Sequence, residues 1–154
     1  MLAVLLFTLL ILSPTSNGAE VLQVIDGDTI TIVNIDTHRL DRVRLIGVNA
    51  PEMKPSPYCG AVESTAYLNS LLKGQVVTLV PGALERDRYG RLLAYVWRTD
   101  YNEGMQVMVN WEVIRNGHAS TMIIPPNDRY KDLFKTAYSE ARQERRGMHE
   151  RCRV

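Results

Sequence analysis

Three short segments of the chain carry the side chains that cleavage of a phosphodiester bond requires. Residues 26–29 read Asp-Gly-Asp-Thr, residues 44–52 begin with an arginine and end with a glutamate, and residues 88–91 read Arg-Tyr-Gly-Arg. Carboxylates can hold a cation, a lone glutamate can take a proton from water, and arginines can bind a developing phosphorane charge. Each segment alone is weak evidence, but the three together indicate phosphodiester chemistry.

The acidic residues of the first two segments could form a cation site. Asp26 and Asp28 are two residues apart, so they share a face if the strand continues through their turn. Carboxylates on one face repel each other unless a cation or a proton compensates their charge, and a hard cation takes oxygen ligands. Asn49 adds an amide oxygen and Ala50 a backbone carbonyl. The alternative for the first pair is an ordinary Asp-Gly turn.

Glu52, Arg44 and Arg91 could carry the catalytic step. Glu52 begins a proline-rich loop, where it could reach a water near the cation, or could simply be a solvated carboxylate. Arg44 lies among apolar residues and needs an anion, either a phosphate or a structural partner such as Asp28 or Asp41. Arg91 follows a turn into a strand and could bind a phosphate bidentately, or be a surface arginine.

Residues beside these groups could bind the substrate. Arg88 could meet a flanking phosphate, and Tyr89 could stack on a base or donate to a phosphate. The alternative is that both are ordinary residues of an exposed turn. The three histidines lie outside the motifs, and we expect no catalytic role for His38, His118 or His149.

The apolar pattern predicts the elements that must position these residues. We expect a mainly β, α+β fold, a five-stranded OB-fold barrel with three helices packed around it. Asp128 is a plausible N-cap for the last helix, and Gly147 a plausible end. The predicted strands cover residues 21–25, 29–35, 39–48, 75–80 and 92–97, and the predicted helices cover residues 60–73, 109–116 and the segment from 128 towards 147.

The amino-terminal segment indicates export. Residues 2–12 are apolar apart from Thr8, but eleven residues are too few to span a bilayer, which needs about 20. We interpret residues 1–19 as a signal peptide cleaved near Gly18 or Ala19, which leaves a secreted or periplasmic domain over residues 20–154. The alternatives are a buried first strand and an uncleaved anchor.

The two cysteines fit the same interpretation. Cys59 and Cys152 suit an exported protein with one disulfide, the alternative being two free thiols. The chain has no CxxC motif and no His/Cys metal spacing, which argues against zinc.

The charge distribution is more informative than the total. The formal net charge is only +1, but residues 129–154 contain eight Lys or Arg and four Asp or Glu, whereas the early region is acid-rich. A cation held among those acids would make that region more positive. The total charge therefore understates affinity for a polyanion.

The chain resembles the staphylococcal nuclease (thermonuclease) family from about residue 20 to residue 147. The resemblance implies an OB-fold barrel with three helices and a calcium-dependent, sugar-nonspecific nuclease that leaves 3′-phosphates. It rests on residues 24–29, 44–52 and 87–91, with support from residues 93–96, 108–110 and 115–117.

The resemblance also implies roles for single residues. Arg44 and Arg91 correspond to phosphate-clamping arginines, and Glu52 to the carboxylate that orients or deprotonates the attacking water. Asp28 corresponds to a direct metal ligand and Asp26 to an outer group that holds metal-bound water.

The remaining metal ligands include a departure from the family pattern. Ala50 would contribute its carbonyl to the single cation of the domain, and Asn49 stands where the pattern has an aspartate. Calcium affinity depends on ligand charge, so Asn49 predicts weaker binding or a different divalent ion. Residues 121–124 also lack the tyrosines that line the family's nucleotide pocket, which predicts loss of base stacking there.

The sequence thus supports three hypotheses in descending order. The first is an exported, monomeric, metal-dependent endonuclease acting on DNA, RNA or both, with no membrane span after signal cleavage. The second is a nucleic-acid-binding module on the same fold with weak or no catalysis, which Asn49 favours and Glu52 opposes, because a binder does not need that glutamate. The third is a structural domain without a nucleic-acid role.

Overall fold

Apolar residues alternate along five strands that close into a barrel in the computed structural model, which describes residues 17–152. Helices pack around this barrel. In chain order the elements are β1 (Gly18–Asp26), β2 (Thr29–Asn34), β3 (Leu40–Leu45), β4 (Gly47–Asn49), α1 (Ala61–Leu72), β5 (Val76–Arg86), β6 (Leu92–Asp100), β7 (Met105–Met108), α2 (Val109–Arg115), β8 (Ser120–Met122), α3 (Lys131–Gln143) and α4 (Met148–Arg151).

The barrel closes through one parallel strand pair. Its strands follow the order β3-β2-β1-β5-β6, with antiparallel neighbours throughout, and β3 then pairs with β6. In that closing pair, Arg44 lies beside Leu93 and Leu45 beside Ala94. The second half of β6 pairs with β7 instead. The five-stranded OB-fold barrel predicted from the sequence is confirmed.

The core lies between the inward faces of the strands and the apolar faces of α1, α2 and α3. Removing these side chains from water supplies the main driving force for folding. The largest side chains that are fully buried include Phe134, Ile30, Leu45, Leu68, Leu72, Ile114, Val21, Val43, Val77 and Val96.

The segment over residues 39–48, predicted as one strand, is broken in two. Gly47 has a positive φ of 78°, and a Cβ atom on it would lie 2.5 Å from the ring of Phe134. The chain therefore turns at Gly47, and β4 leaves the barrel to pair with β8. This turn carries Asn49 and Ala50 away from the line of β3.

The last helix differs from its predicted form. Asp128 is not its N-cap, because α3 begins at Lys131 and the Asp128 carbonyl accepts a hydrogen bond from the Lys131 amide at 3.0 Å in a preceding turn. The helix ends at Gln143 rather than at Gly147. Gly147 instead precedes the short helix α4, which follows the three predicted helices.

The amino-terminal strand begins before residue 20. Ala19 is fully buried and pairs with Asn34 on one side and Val77 on the other. Cleavage at Gly18 or Ala19 would therefore shorten β1. The signal-peptide interpretation falls mostly on residues 1–16, which lie outside the described residues, and it stays a prediction. From residue 17 to residue 152, no helix combines the length and the apolar character needed to cross a membrane.

A disulfide ties the carboxyl-terminal segment to the start of α1. Cys59 and Cys152 are bonded, with their Cα atoms 5.9 Å apart. The two cysteines are 93 residues apart in sequence, so the closed loop contains all four helices and β5 to β8, whereas β1 to β4 precede Cys59.

Candidate active site

The Asp-Gly-Asp turn between β1 and β2 holds a buried carboxylate. Asp28 is buried, and its Oδ1 accepts a hydrogen bond from the Thr29 hydroxyl at 2.9 Å. Its Oδ2 accepts one from the Ala50 amide at 2.9 Å. The Asp28 amide in turn donates to Asp26 Oδ1 at 3.1 Å, so the two predicted acids are linked through the turn.

Gly27 allows this turn to approach the end of β4 and helix α1. A Cβ atom at residue 27 would lie 2.6 Å from the Cβ of Ala50 and 2.8 Å from the Cβ of Ser64. Contacts this short cannot form without movement of one of the three segments. The glycine is therefore required for Asp28 to reach the Ala50 amide.

Arg44 pairs with Asp28. The Arg44 Nη2 lies 3.0 Å from Asp28 Oδ2, and its side chain is only 13% exposed. Its Nη1 donates to the carbonyls of Leu45 at 3.0 Å and Val48 at 2.6 Å. The structural partner considered in the sequence analysis is thus present, and it fixes the guanidinium at the turn into β4. Asp41, the other candidate partner, pairs with Arg86 instead.

Burial perturbs the acid at the centre of this cluster. Desolvation raises the pKa of Asp28 to about 6 from 3.8; Arg44 opposes the rise and the nearby Asp26 adds to it. A buried carboxylate next to a second acid is the type of group whose charge a cation would compensate.

The Arg-Tyr-Gly-Arg turn before β6 is organised by Asp87. Its Oδ2 accepts a hydrogen bond from Arg91 Nε at 2.7 Å, and its Oδ1 accepts bonds from the amides of Arg91 at 3.0 Å and Tyr89 at 2.9 Å. Burial would raise the pKa of Asp87, but these hydrogen bonds, chiefly those from Arg91, lower it below its usual value. Asp87 therefore holds Arg91 in place as an anion.

Tyr89 stands at the tip of this turn. Its hydroxyl accepts a hydrogen bond from Arg88 Nη2 at 2.7 Å, and its side chain is 68% exposed. The guanidinium carbons of Arg88 and Arg91 lie 4.8 and 5.4 Å from the centre of its ring. Cations at these distances are attracted to the aromatic face.

One cavity brings the arginines together. It has a volume of about 440 Å³ and is lined by Arg44, Arg88, Tyr89 and Arg91. Its apolar wall includes Leu84, Leu93, Met122 and Ile124. The last two fall in the segment where the family pattern has tyrosines, so the wall there is aliphatic.

Glu52 lies apart from this cavity. Its side chain is exposed and forms no hydrogen bond or ion pair with any of residues 17–152. Its carbonyl accepts a hydrogen bond from the Tyr58 amide at 2.9 Å, which folds the proline-rich loop back on itself. Glu52 nevertheless follows Ala50, the contact of Asp28, by only two residues. Its role as a base stays a prediction.

The predicted cation ligands form a set of hard oxygen donors. Asp26 and Asp28 supply carboxylates, Asn49 an amide oxygen and Ala50 a backbone carbonyl. The Asn49 Nδ2 donates a hydrogen bond to Ser120 Oγ at 3.3 Å. Among the described residues, no three His, Cys, Asp or Glu side chains cluster as a metal site. A cluster defined by these four residue types leaves out two of the four proposed donors, the Asn49 amide oxygen and the Ala50 backbone carbonyl. The residues fit a calcium or magnesium ion by donor type.

The histidines pack elsewhere. The ring of His118 stacks on Tyr67 at 4.0 Å, and His149 meets the Tyr138 ring at 5.4 Å. His38 lies in the turn between β2 and β3.

Sequence reasoning missed the part played by Asp87. Asp87 belongs to the motif of residues 87–91, but its residue type alone predicts no function for it. Its position four residues before Arg91, across a turn closed by Gly90, was the available signal. Opposite charges four residues apart usually indicate an ion pair on a helix, so this spacing does not by itself predict a contact across a turn.

Comparison with known proteins agrees with this geometry. The family model described as staphylococcal nuclease homologue matches residues 42–151. The chain belongs to the staphylococcal nuclease family. This confirms the resemblance found in the sequence.

Three relatives illustrate the likeness within the staphylococcal nuclease family. The thermonuclease of Staphylococcus intermedius is 39% identical over 134 residues, which cover 84% of this chain and 74% of the relative. The thermonuclease of Staphylococcus hyicus is 36% identical over 129 residues, covering 80% and 70% of the two chains. An uncharacterized endonuclease of Escherichia coli O157:H7 is 34% identical over 131 residues, covering 84% and 74%.

Proposed function

We propose that the chain is a metal-dependent endonuclease, with Ca²⁺ as the preferred ion, that cleaves DNA, RNA or both and leaves 3′-phosphates. Endonuclease-type hydrolysis follows from family membership and from the thermonucleases and endonuclease among its relatives. The single observation that carries the proposal is the cavity lined by Arg44 and Arg91, beside the buried Asp28 that Arg44 contacts.

The two arginines would bind the oxygens of the scissile phosphate. Hydrogen bonds hold Arg44 in place through Leu45, Val48 and Asp28, and Asp87 holds Arg91. Donors fixed before the reaction stabilise developing negative charge without a reorganisation cost. Bidentate guanidinium groups match phosphoryl oxygens in shape as well as charge.

Glu52 would supply the base. It would take a proton from a water that attacks phosphorus in line. The bond to the 5′-oxygen would break, that oxygen would take a proton from solvent to become a hydroxyl, and the phosphate would remain on the 3′ side. The exposed loop position of Glu52 leaves its carboxylate free to accept this proton.

The cation would be held by Asp28, Asn49 and the Ala50 carbonyl, with Asp26 acting through water. When bound, it supplies Lewis-acid stabilisation of charge on the phosphate oxygens. The raised pKa of Asp28 supports this assignment, because a cation would compensate the charge that burial disfavours.

Digestion assays test the proposal. Plasmid DNA and RNA are incubated with the protein in calcium, in magnesium and in chelator, and product ends are identified by mass spectrometry. We expect cleavage in calcium, none in chelator, and 3′-phosphate ends. Full activity in chelator would exclude a metal requirement, and 5′-phosphate ends would exclude the proposed direction of cleavage.

A nucleic-acid-binding module is the second candidate. Two observations favour it: Asn49 carries no charge, and both oxygens of Asp28 already accept bonds from protein donors. Retained binding of nucleic acid without cleavage under any ionic condition would select this candidate.

A secreted or periplasmic location is also part of the proposal, as is a monomeric state. The Cys59–Cys152 disulfide supports the location, because such bonds persist in oxidising compartments. Mass measurement of the protein recovered outside the cytoplasm tests it. A mass that includes residues 1–16 would contradict signal cleavage.

A further inference from the structure

A second cavity adjoins the first along the Arg-Tyr-Gly-Arg turn. It has a volume of about 660 Å³ and is lined by Tyr89, Arg91 and residues of β2, β3 and the turn itself. Tyr89 and Arg91 line both cavities, so the two spaces meet at these side chains. The other lining residues of the second cavity are Thr31, Leu40, Asp41, Arg42 and Gly90.

The charge of this second cavity suits a phosphate. Arg42 is exposed on β3 and has no carboxylate within ion-pair distance among residues 17–152. Asp41, the only acid of the lining, is held by both terminal nitrogens of Arg86, at 3.1 and 2.5 Å. Because Asp41 is paired with Arg86 and Arg91 with Asp87, the charge of Arg42 is left without a counter-charge and makes the cavity net positive.

The apolar surface of the cavity suits unpaired bases. Tyr89 is 68% exposed and Leu40 is 69% exposed, so both large apolar side chains of the lining are accessible to a ligand. An exposed aromatic ring beside a positive groove is how proteins bind single strands, because every base offers a face for stacking. Arg86 Nη1 also donates to the Gly90 carbonyl at 2.7 Å, which holds the turn that carries Tyr89.

We propose that the second cavity is a binding site for the nucleotides that flank the cleaved bond in a single-stranded substrate. The strand crosses Tyr89 from one cavity into the other, with a base against Tyr89 and Leu40 and a phosphate on Arg42. The inference rests on the proposed function, because the first cavity must hold the scissile phosphate. Paired bases cannot open to stack in this way, so a duplex is the poorer ligand.

Binding measured in chelator tests the site without cleavage. Fluorescence anisotropy compares labelled thymidine dinucleotide and octanucleotide on the wild-type protein, Arg42→Ala and the control Arg142→Ala, an exposed arginine of α3. We expect Arg42→Ala to weaken octanucleotide binding about fivefold and to lower the salt slope by about 0.7, the value for one lost phosphate contact to a single strand. Dinucleotide binding stays unchanged, and Arg142→Ala matches wild type for both ligands.

Three outcomes would overturn the inference. They are an unchanged octanucleotide affinity in Arg42→Ala, an equal loss for both ligands, and equal binding of a duplex octanucleotide. Thermal melting confirms that the variant is folded. Cleavage in calcium is measured in parallel. Absent cleavage with an intact Arg42 effect removes the proposed function and leaves a single-strand binding site without a cleaved bond, whereas normal cleavage without that effect removes only the second site.

Discussion

At the scale of single residues, the proposed reaction depends on Arg44, Glu52 and Arg91. Replacing each in turn by alanine removes charge stabilisation or the base, so we expect kcat to fall at least about 100-fold in each variant. Initial rates on plasmid DNA measure this, and Glu103→Ala, in the exposed β6–β7 turn, serves as the control. A near-wild-type rate in any of the three variants would remove that residue from the mechanism.

The same variants separate catalysis from stability. Arg44→Ala leaves the buried Asp28 without its ion-pair partner, which for buried pairs costs about 3 kcal/mol or more. Glu52 is exposed and makes no such contact, so Glu52→Ala should melt like wild type. Equal melting temperatures for both variants would contradict the ion pair.

Asn49 sets the charge of the proposed cation site. Asn49→Asp restores a negative ligand, so we expect calcium to bind about tenfold more tightly, as ligand charge raises affinity. Isothermal titration measures the change, with Asn102→Asp in the exposed β6–β7 turn as the control. An affinity that does not change would exclude Asn49 as a ligand.

Asp28 links cation binding to pH. Its pKa in the folded protein is about 6 rather than 3.8, so the folded state holds a proton through this window while the unfolded chain does not. Without a cation, the free energy of unfolding therefore falls as the pH rises from 3.8 to about 6. Proton and cation compete for the same carboxylate, so calcium affinity should weaken as the pH drops below about 6. Titrations on both sides of that pH measure it, and a constant affinity would exclude Asp28.

At the scale of elements, Gly27 fixes the distance between the β1–β2 turn, β4 and α1. Gly27→Ala forces a Cβ against Ala50 and Ser64, and overpacking of this type costs about 1–3 kcal/mol. We expect lower stability in urea and weaker calcium binding, because Asp28 moves. In Gly104→Ala the new Cβ meets open space, so only the cost of its positive φ remains and calcium binding is unchanged. An unchanged calcium affinity in Gly27→Ala would contradict this prediction, because it would show that the added Cβ does not displace Asp28.

The elements also show how far the sequence could be interpreted. Alternating apolar residues predict the barrel strands because period-two burial is a local signal. The break at Gly47 is harder to predict, because the packing that excludes a side chain there comes from the ring of Phe134, far along the chain. The pairing of β4 with β8 is hidden for the same reason.

The candidate site is likewise only partly predictable from the sequence. The motifs identify which residues carry chemistry, but not their partners in the folded chain. Arg44 had two possible acids, and only the three-dimensional arrangement selects Asp28 and gives Asp41 to Arg86. The second cavity shares Tyr89, Gly90 and Arg91 with a motif, but no motif marks its side on β2 and β3, which meets that turn only in the folded chain.

At the scale of the whole molecule, the disulfide restricts the unfolded chain. The bonded cysteines are 93 residues apart in sequence, and for a loop of this length the chain-entropy model gives a stabilisation of about 4–5 kcal/mol. The Cys59→Ser, Cys152→Ser double variant should lose this amount in urea denaturation, and so should the reduced wild type. Reductant should leave the double variant unchanged. Equal stability of the oxidised and reduced wild type would contradict the prediction.

The closing pair of β3 and β6 has a consequence for the cell that makes this protein. Arg44 and Arg91 belong to segments that meet only when Leu93 takes its place beside Arg44. A chain still emerging from the ribosome, or one kept unfolded, has its arginines apart and its cavity unformed. The proposed nuclease would therefore be inactive during synthesis, and it could not cleave its own messenger RNA until the barrel has closed.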